Sequence, residues 1–130
     1  MSADAGTGTD TTLNRDEELE FFRGLVEQYS PSEEEEDARE YLLDTLPDMG
    51  FEVETDAVGN VIATTGDTES ENEVLLTSHM DTVKGEIPVS IEGGKMYGRG
   101  TVDAKGPLSS MFLSAARCTD ADSKITVVAV

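Results

Sequence analysis

The 130-residue sequence holds one histidine, His79, two positions ahead of an aspartate in Ser78-His79-Met80-Asp81-Thr82. In extended chain, residues i and i+2 project to the same side. Asp81 can therefore accept a hydrogen bond from one ring nitrogen while the other nitrogen takes a metal ion. A carboxylate so placed fixes the imidazole tautomer and makes the free nitrogen a better ligand. A second aspartate, Asp103, lies in Gly98-Arg99-Gly100-Thr101-Val102-Asp103-Ala104-Lys105-Gly106, a glycine-rich loop leading into a helical stretch. Backbone N–H groups at a helix start favour an anionic side chain. The two oxygens of a carboxylate can also bridge two cations about 3.5–4 Å apart, the separation used in two-metal hydrolysis. Each piece alone has a plainer reading: His79 as a hydrogen-bonded strand-end residue, Asp103 as a helix cap or turn residue.

The elements that must position these residues follow from periodicity and punctuation. A first helix is expected over about Arg15 to Tyr29, with Asn14 as N-cap, Glu17 closing a capping box, and a stripe of Leu19, Phe22, Leu25, Val26 and Tyr29. After the break at Ser30-Pro31, Ser32 and Glu35 read as a second capping box, and the acidic run Glu33 to Asp37 suits the positive end of a helix macrodipole. Ala38, Tyr41, Leu42 and Leu46 form that helix's buried face. Strands are expected at Phe51 to Thr55 and Asn60 to Thr64, joined by a turn, and at Glu73 to His79, whose run of Val74, Leu75 and Leu76 suits a sheet interior. Gly93-Gly94 marks a hairpin between Pro88 to Ile91 and Lys95 to Tyr97. A helix starting near Pro107 runs to about Cys118, and Lys124 to Val130 is a final strand. Helices interleaved with strands predict an α/β fold, a mixed-sheet α/β sandwich.

Charge bounds the partners. There are 28 Asp and Glu against 9 Lys and Arg, a net charge of −19. Such a field repels nucleic acid and anionic membrane surfaces. It also repels itself, and salt screens it, with a Debye length of about 3 Å in molar salt. A halophilic source with a salt-filled cytosol is the expectation, along with a melting temperature that rises with KCl. Residues 1–12 are polar and small, with no cationic start or apolar run, and read as a disordered acidic tail. No stretch approaches 18 consecutive apolar residues, and the expected location is cytoplasmic. Cys118, the single cysteine, reads as a small buried side chain with no chemistry.

Together, Ser78-His79-Met80-Asp81-Thr82-Val83 and Tyr97-Gly98-Arg99-Gly100-Thr101-Val102-Asp103-Ala104-Lys105-Gly106-Pro107-Leu108 resemble the M20 metallo-amidohydrolases, the group of acetylornithine deacetylase and succinyl-diaminopimelate desuccinylase. The resemblance runs from about Leu19 to Val130. It implies that His79 and Asp103 are metal ligands, Asp103 bridging two divalent ions (zinc, or cobalt or manganese). It implies that Asp81 is the catalytic-site residue that orients His79, and that the Asp103–Ala104 peptide is cis. Asp103-Ala104-Lys105-Gly106-Pro107-Leu108 and Gly85-Glu86-Ile87-Pro88-Val89 are similar to archaeal enzymes that release lysine or ornithine from an amino-group carrier protein. The implied reaction is hydrolysis of an amide on an α-amino group in lysine or arginine biosynthesis. The implied partner is a small acylated amino acid or a carrier protein, and the implied assembly of a complete enzyme is a homodimer.

The family's glutamate pair, its further acidic ligand, its C-terminal histidine and its lid domain have no counterpart in these 130 residues. Residues 13–130 are therefore expected to be the N-terminal portion of a dizinc-peptidase-like catalytic domain, truncated before the lid and inactive alone. The alternatives are another M20 deacylase or dipeptidase, acting on succinyl-diaminopimelate, acetylornithine or dipeptides, or a non-catalytic short module. Such a module would have to cover an apolar edge expected at Ile125 to Val130.

Overall fold

The computed structural model describes residues 13–130; the tail expected at residues 1–12 lies outside the described residues. Three α-helices, α1 (Arg15–Glu27), α2 (Glu36–Thr45) and α3 (Lys105–Ala116), are interleaved with six strands: β1 (Glu52–Thr55), β2 (Val61–Gly66), β3 (Glu73–Ser78), β4 (Ser90–Glu92), β5 (Lys95–Tyr97) and β6 (Lys124–Ala129). The main sheet has the order β1-β2-β6-β3, and β4-β5 form a separate ribbon. β1/β2 and β2/β6 are antiparallel, whereas β6/β3 is parallel, with Ser78 opposite Ala129 at its carboxyl end. The sheet is mixed, as expected.

Local chemistry sets the boundaries. At α1 the Asn14 side chain accepts from the Glu17 N–H and the Glu17 carboxylate accepts from the Asn14 N–H, both at 2.9 Å. That reciprocal box satisfies two of the donors a helix start leaves unpaired. In the β1–β2 turn, one oxygen of Asp56 accepts from the N–H groups of Asn60 (2.9 Å) and Val58 (3.1 Å). These bonds hold its carboxyl below the usual carboxylate range.

The core lies between the helices and one face of the sheet. Phe21 and Leu25 of α1, Leu42 of α2 and Phe112 of α3 pack with Val61 and Ala63 of β2 and with Val127 and Ala129 of β6. Phe112 meets Phe21 and Phe51 edge-on, at 6.2 and 5.9 Å between ring centroids. Fully burying a side chain of this size contributes about 1.5–3 kcal/mol.

Four expectations are corrected. First, β3 and β6 exchange roles: β6 is the buried inner strand, and β3 is the edge, with Val74 and Leu75 exposed. The apolar edge falls on β3 because β6 pairs on both sides. Second, α2 starts at Glu36 with Glu35 as its N-cap, and no side chain caps it; Ser32 is engaged elsewhere. Third, α1 turns Phe21 into the core and leaves Leu19 exposed. Fourth, α3 ends at Ala116, so Cys118 sits beyond it and is exposed.

Candidate metal centre

His79 begins where β3 ends. The parallel ladder runs one step past both strands: the Val130 N–H donates to the Ser78 carbonyl (2.9 Å) and the Met80 N–H to the Val130 carbonyl (3.0 Å). Met80 is buried in the core. Alternation then turns His79 and Asp81 to the same side, outside the carboxyl end of the parallel pair, where open α/β sheets place ligands.

Gly98 to Asp103 brings the second loop against the first. Gly100 has φ +88, and a Cβ there would lie 2.6 Å from Cγ2 of Thr82. A side chain at this position would force the two loops apart, so only glycine permits this approach. Asp103 does not cap α3. The N-cap is Ala104, and the Asp103–Ala104 peptide is cis, as the resemblance implied.

The Asp103 carboxylate, 85% exposed, thus remains available, and its Oδ1 lies 3.1 Å from Nε2 of His79. The other ring nitrogen, Nδ1, lies 3.0 Å from both the carbonyl oxygen and Oδ1 of Asp81. All three candidate residues therefore share one open cleft of about 380 Å³, lined also by Ser32, Thr82 and Arg99. Larger depressions of about 660 and 1020 Å³ flank α1 and contain none of the three.

Burial pulls the His79 pKa down. The bonds to the Asp81 carbonyl and to Asp103, with the charges of both aspartates, outweigh that and hold it above its ordinary value. A cation is favoured at this point of the cleft.

Does this donor set fit a divalent metal? Nitrogen and oxygen donors at 2.0–2.1 Å from one tetrahedral ion stand about 3.3 Å apart, close to the 3.1 Å separating Nε2 of His79 and Oδ1 of Asp103. They fit as two members of a ligand set. Among the described residues no group of three or more His, Cys, Asp or Glu could hold a metal. Further coordination positions would fall to groups outside this pair.

Two residues at this site were missed in the sequence. Lys105 is fully buried, and its ammonium donates to the Gln28 carbonyl at the end of α1. Burial pushes its pKa down to about 8. α1 has no basic residue in its last turn, so Lys105 supplies the cation that a helix carboxyl end favours and ties the start of α3 to it. Ser32 donates to Oδ2 of Asp81 at 2.5 Å. For Lys105 the signal was a cationic residue next to an apolar helix. For Ser32 there was no local signal, because its partner is 49 residues away.

The sequence profile of peptidase family M20/M25/M40 matches residues 75–130. A protein of Pyrococcus abyssi, provisionally named a LysW-lysine/LysW-ornithine hydrolase, is 46% identical over 103 residues, covering 78% of this chain and 30% of the relative. The LysW-lysine/LysW-ornithine hydrolase of Sulfurisphaera tokodaii is 37% identical over 102 residues, covering 78% of this chain and 28% of the relative. The chain thus spans about 30% of the length of the curated relatives it matches. Among solved structures, the aminopeptidase PepT of Bacillus cereus superposes with a TM-score of 0.72 at 28% identity, over 91% of this chain and 36% of that one.

Proposed function

The chain belongs to peptidase family M20/M25/M40, and from that premise we propose that it forms part of a metal-dependent amidohydrolase. The enzyme releases lysine or ornithine from an acyl group on the α-amino nitrogen, with a LysW-type amino-group carrier as the acyl donor. The substrate rests on the names given to relatives 37–46% identical to this chain. The observation that carries the reaction class is the convergence of Nε2 of His79 and Oδ1 of Asp103 at 3.1 Å, beside an Asp81 that holds the opposite ring nitrogen.

The residues have separate tasks. Nδ1 of His79 faces two acceptors on Asp81 and Nε2 one on Asp103, so a metal taken at Nε2 would leave the proton on Nδ1. Asp103 offers an exposed carboxylate whose second oxygen can serve a second ion. Divalent ions held by His79 and Asp103 would supply Lewis acidity toward the amide carbonyl and lower the pKa of a bound water. Asp81 keeps the ring from turning, and Gly100 lets the Gly98 to Asp103 loop approach Thr82.

The test is hydrolysis by the protein as isolated from its source cell, in molar KCl. Carrier-linked lysine should be cleaved to free lysine, chelation should stop the reaction, and added zinc or cobalt should restore it. Failure of the metal-loaded protein on every α-N-acyl amide would sink the proposal. The likeness to PepT favours a second reading, hydrolysis of short peptides; preference for a tripeptide over acyl-lysine would select it.

A further inference from the structure

Ser32 is one of the polar side chains of the cleft that the reaction has not used. It lies on a short strap, residues 30–32, laid parallel along the His79 loop. The Thr82 N–H donates to the Ser30 carbonyl (2.8 Å), and the Ser32 N–H donates to the Thr82 carbonyl (3.1 Å). Pro31 bridges to Thr82, and the buried Ser30 hydroxyl donates to the Met80 carbonyl at 2.7 Å. Immediately afterwards the chain turns away at Glu33, whose φ of 72 is rare for a residue with a side chain. The strap thus ends where its last hydroxyl reaches Asp81.

Asp81 is consequently held at both oxygens. Oδ1 lies 3.0 Å from Nδ1 of His79, and Oδ2 accepts from Ser32 at 2.5 Å. A carboxylate bonded at one oxygen only can rotate about its Cβ–Cγ axis and leave the ring; one bonded at both cannot without losing a bond.

We propose that Ser32 is a positioning residue: through Oδ2 of Asp81 it fixes the carboxylate that sets the His79 tautomer, and so prepares Nε2 as a metal ligand. The tautomer claim rests on the balance of acceptors, the Asp81 carbonyl and Oδ1 at Nδ1 against Asp103 Oδ1 at Nε2; its consequence for metal rests on the reading given under Proposed function. Groups that orient ligating histidines typically change metal affinity by about 10–100-fold when removed.

The single histidine makes the test direct. Protein labelled with 15N-histidine gives one pair of ring signals. These are recorded without metal at a pH where the ring is neutral, for the unmodified chain, Ser32→Ala and Ser32→Thr. The unmodified chain is expected to show the Nδ1–H form, Ser32→Ala a mixture enriched in Nε2–H, and Ser32→Thr a return to Nδ1–H. Zinc affinity by calorimetry should fall about 10–100-fold in Ser32→Ala and recover in Ser32→Thr. An unchanged 15N pattern in Ser32→Ala overturns the proposal, as does a lowered melting temperature with no change of tautomer, which would make the strap merely structural. Zinc titration of the unmodified chain reports separately on the metal site: if Nε2 does not respond, that reading fails while the tautomer result stands on its own.

Discussion

Asn14 and Ser32 occupy the same local pattern, a small polar residue three positions ahead of a glutamate. At Asn14 the pattern closes on itself: side chain and backbone of residues 14 and 17 exchange two hydrogen bonds, and α1 begins. At Ser32 it stays open. The Ser32 hydroxyl goes to Asp81, Glu35 accepts from the Glu33 N–H instead, and α2 starts one turn later without a side-chain cap. A capping signature predicts structure when no distant partner competes for its hydroxyl. Around Asp81 a carboxylate competes, and a charge-assisted bond is stronger than a bond to a neutral backbone N–H. One region spends its polar groups on its own fold, the other on the cleft.

That contrast makes opposite demands on substitution. Asp103→Ala should have the largest effect, and on function alone. Zinc retention and amide hydrolysis should fall below detection, while stability changes by no more than about 0.5 kcal/mol, because Asp103 is 85% exposed and caps nothing. Chemical denaturation beside a metal assay checks both halves, and an unstable Asp103→Ala would erase the distinction.

Gly24→Ala should do the reverse. A Cβ at Gly24 would lie 2.2 Å from the Tyr41 hydroxyl, where α1 and α2 pack together. Overpacking of this kind costs about 1–3 kcal/mol, readable as a lower melting temperature with the His79 15N signals in place. Asn14→Ala should cost about 1 kcal/mol, again without moving those signals. If it does move them, the helix start is coupled to the site and the comparison fails.

A further effect is set by pH. Burial, then the charges of Glu20 and Glu27, push the Tyr41 phenol from 10.0 up to about 12. Because the folded value is the higher one, its contribution is complete below pH 10 and disappears as pH rises from 10 to 12. Tyr41→Phe should remove that part of the alkaline loss of stability. It should also lose the 2.9 Å bond to the Phe21 carbonyl, worth about 0.5–1.5 kcal/mol. A stability–pH profile of the two proteins between pH 8 and 12 reads the difference.

Much of this architecture is legible in the sequence, for definite reasons. The capping box at Asn14, the Gly93-Gly94 hairpin and the alternation through His79, Met80 and Asp81 are local, and each folds as its pattern dictates. His79, Asp81 and Asp103 could be singled out by type and spacing, and they do meet in one cleft. Ser32 could not be read this way, and Lys105 only as a cation beside an apolar helix, since their partners Asp81 and Gln28 are distant in sequence. The exchange between β3 and β6 has the same origin. Val74-Leu75-Leu76 and Ile125-Thr126-Val127-Val128 are both apolar runs, and only pairing decides which lies inside. Cys118 misled because the helix that was to bury it stops at Ala116.

The central claim is that Nε2 of His79 and the Asp103 carboxylate hold the same metal ion while Asp81 keeps Nδ1. Anomalous diffraction at the zinc edge, from crystals of the zinc-loaded protein, measures this directly. The account predicts a peak about 2.0–2.2 Å from both Nε2 of His79 and an Asp103 oxygen, with Asp81 still bonded to Nδ1. A peak on Nδ1, or on acidic surface groups with none at His79, would contradict it.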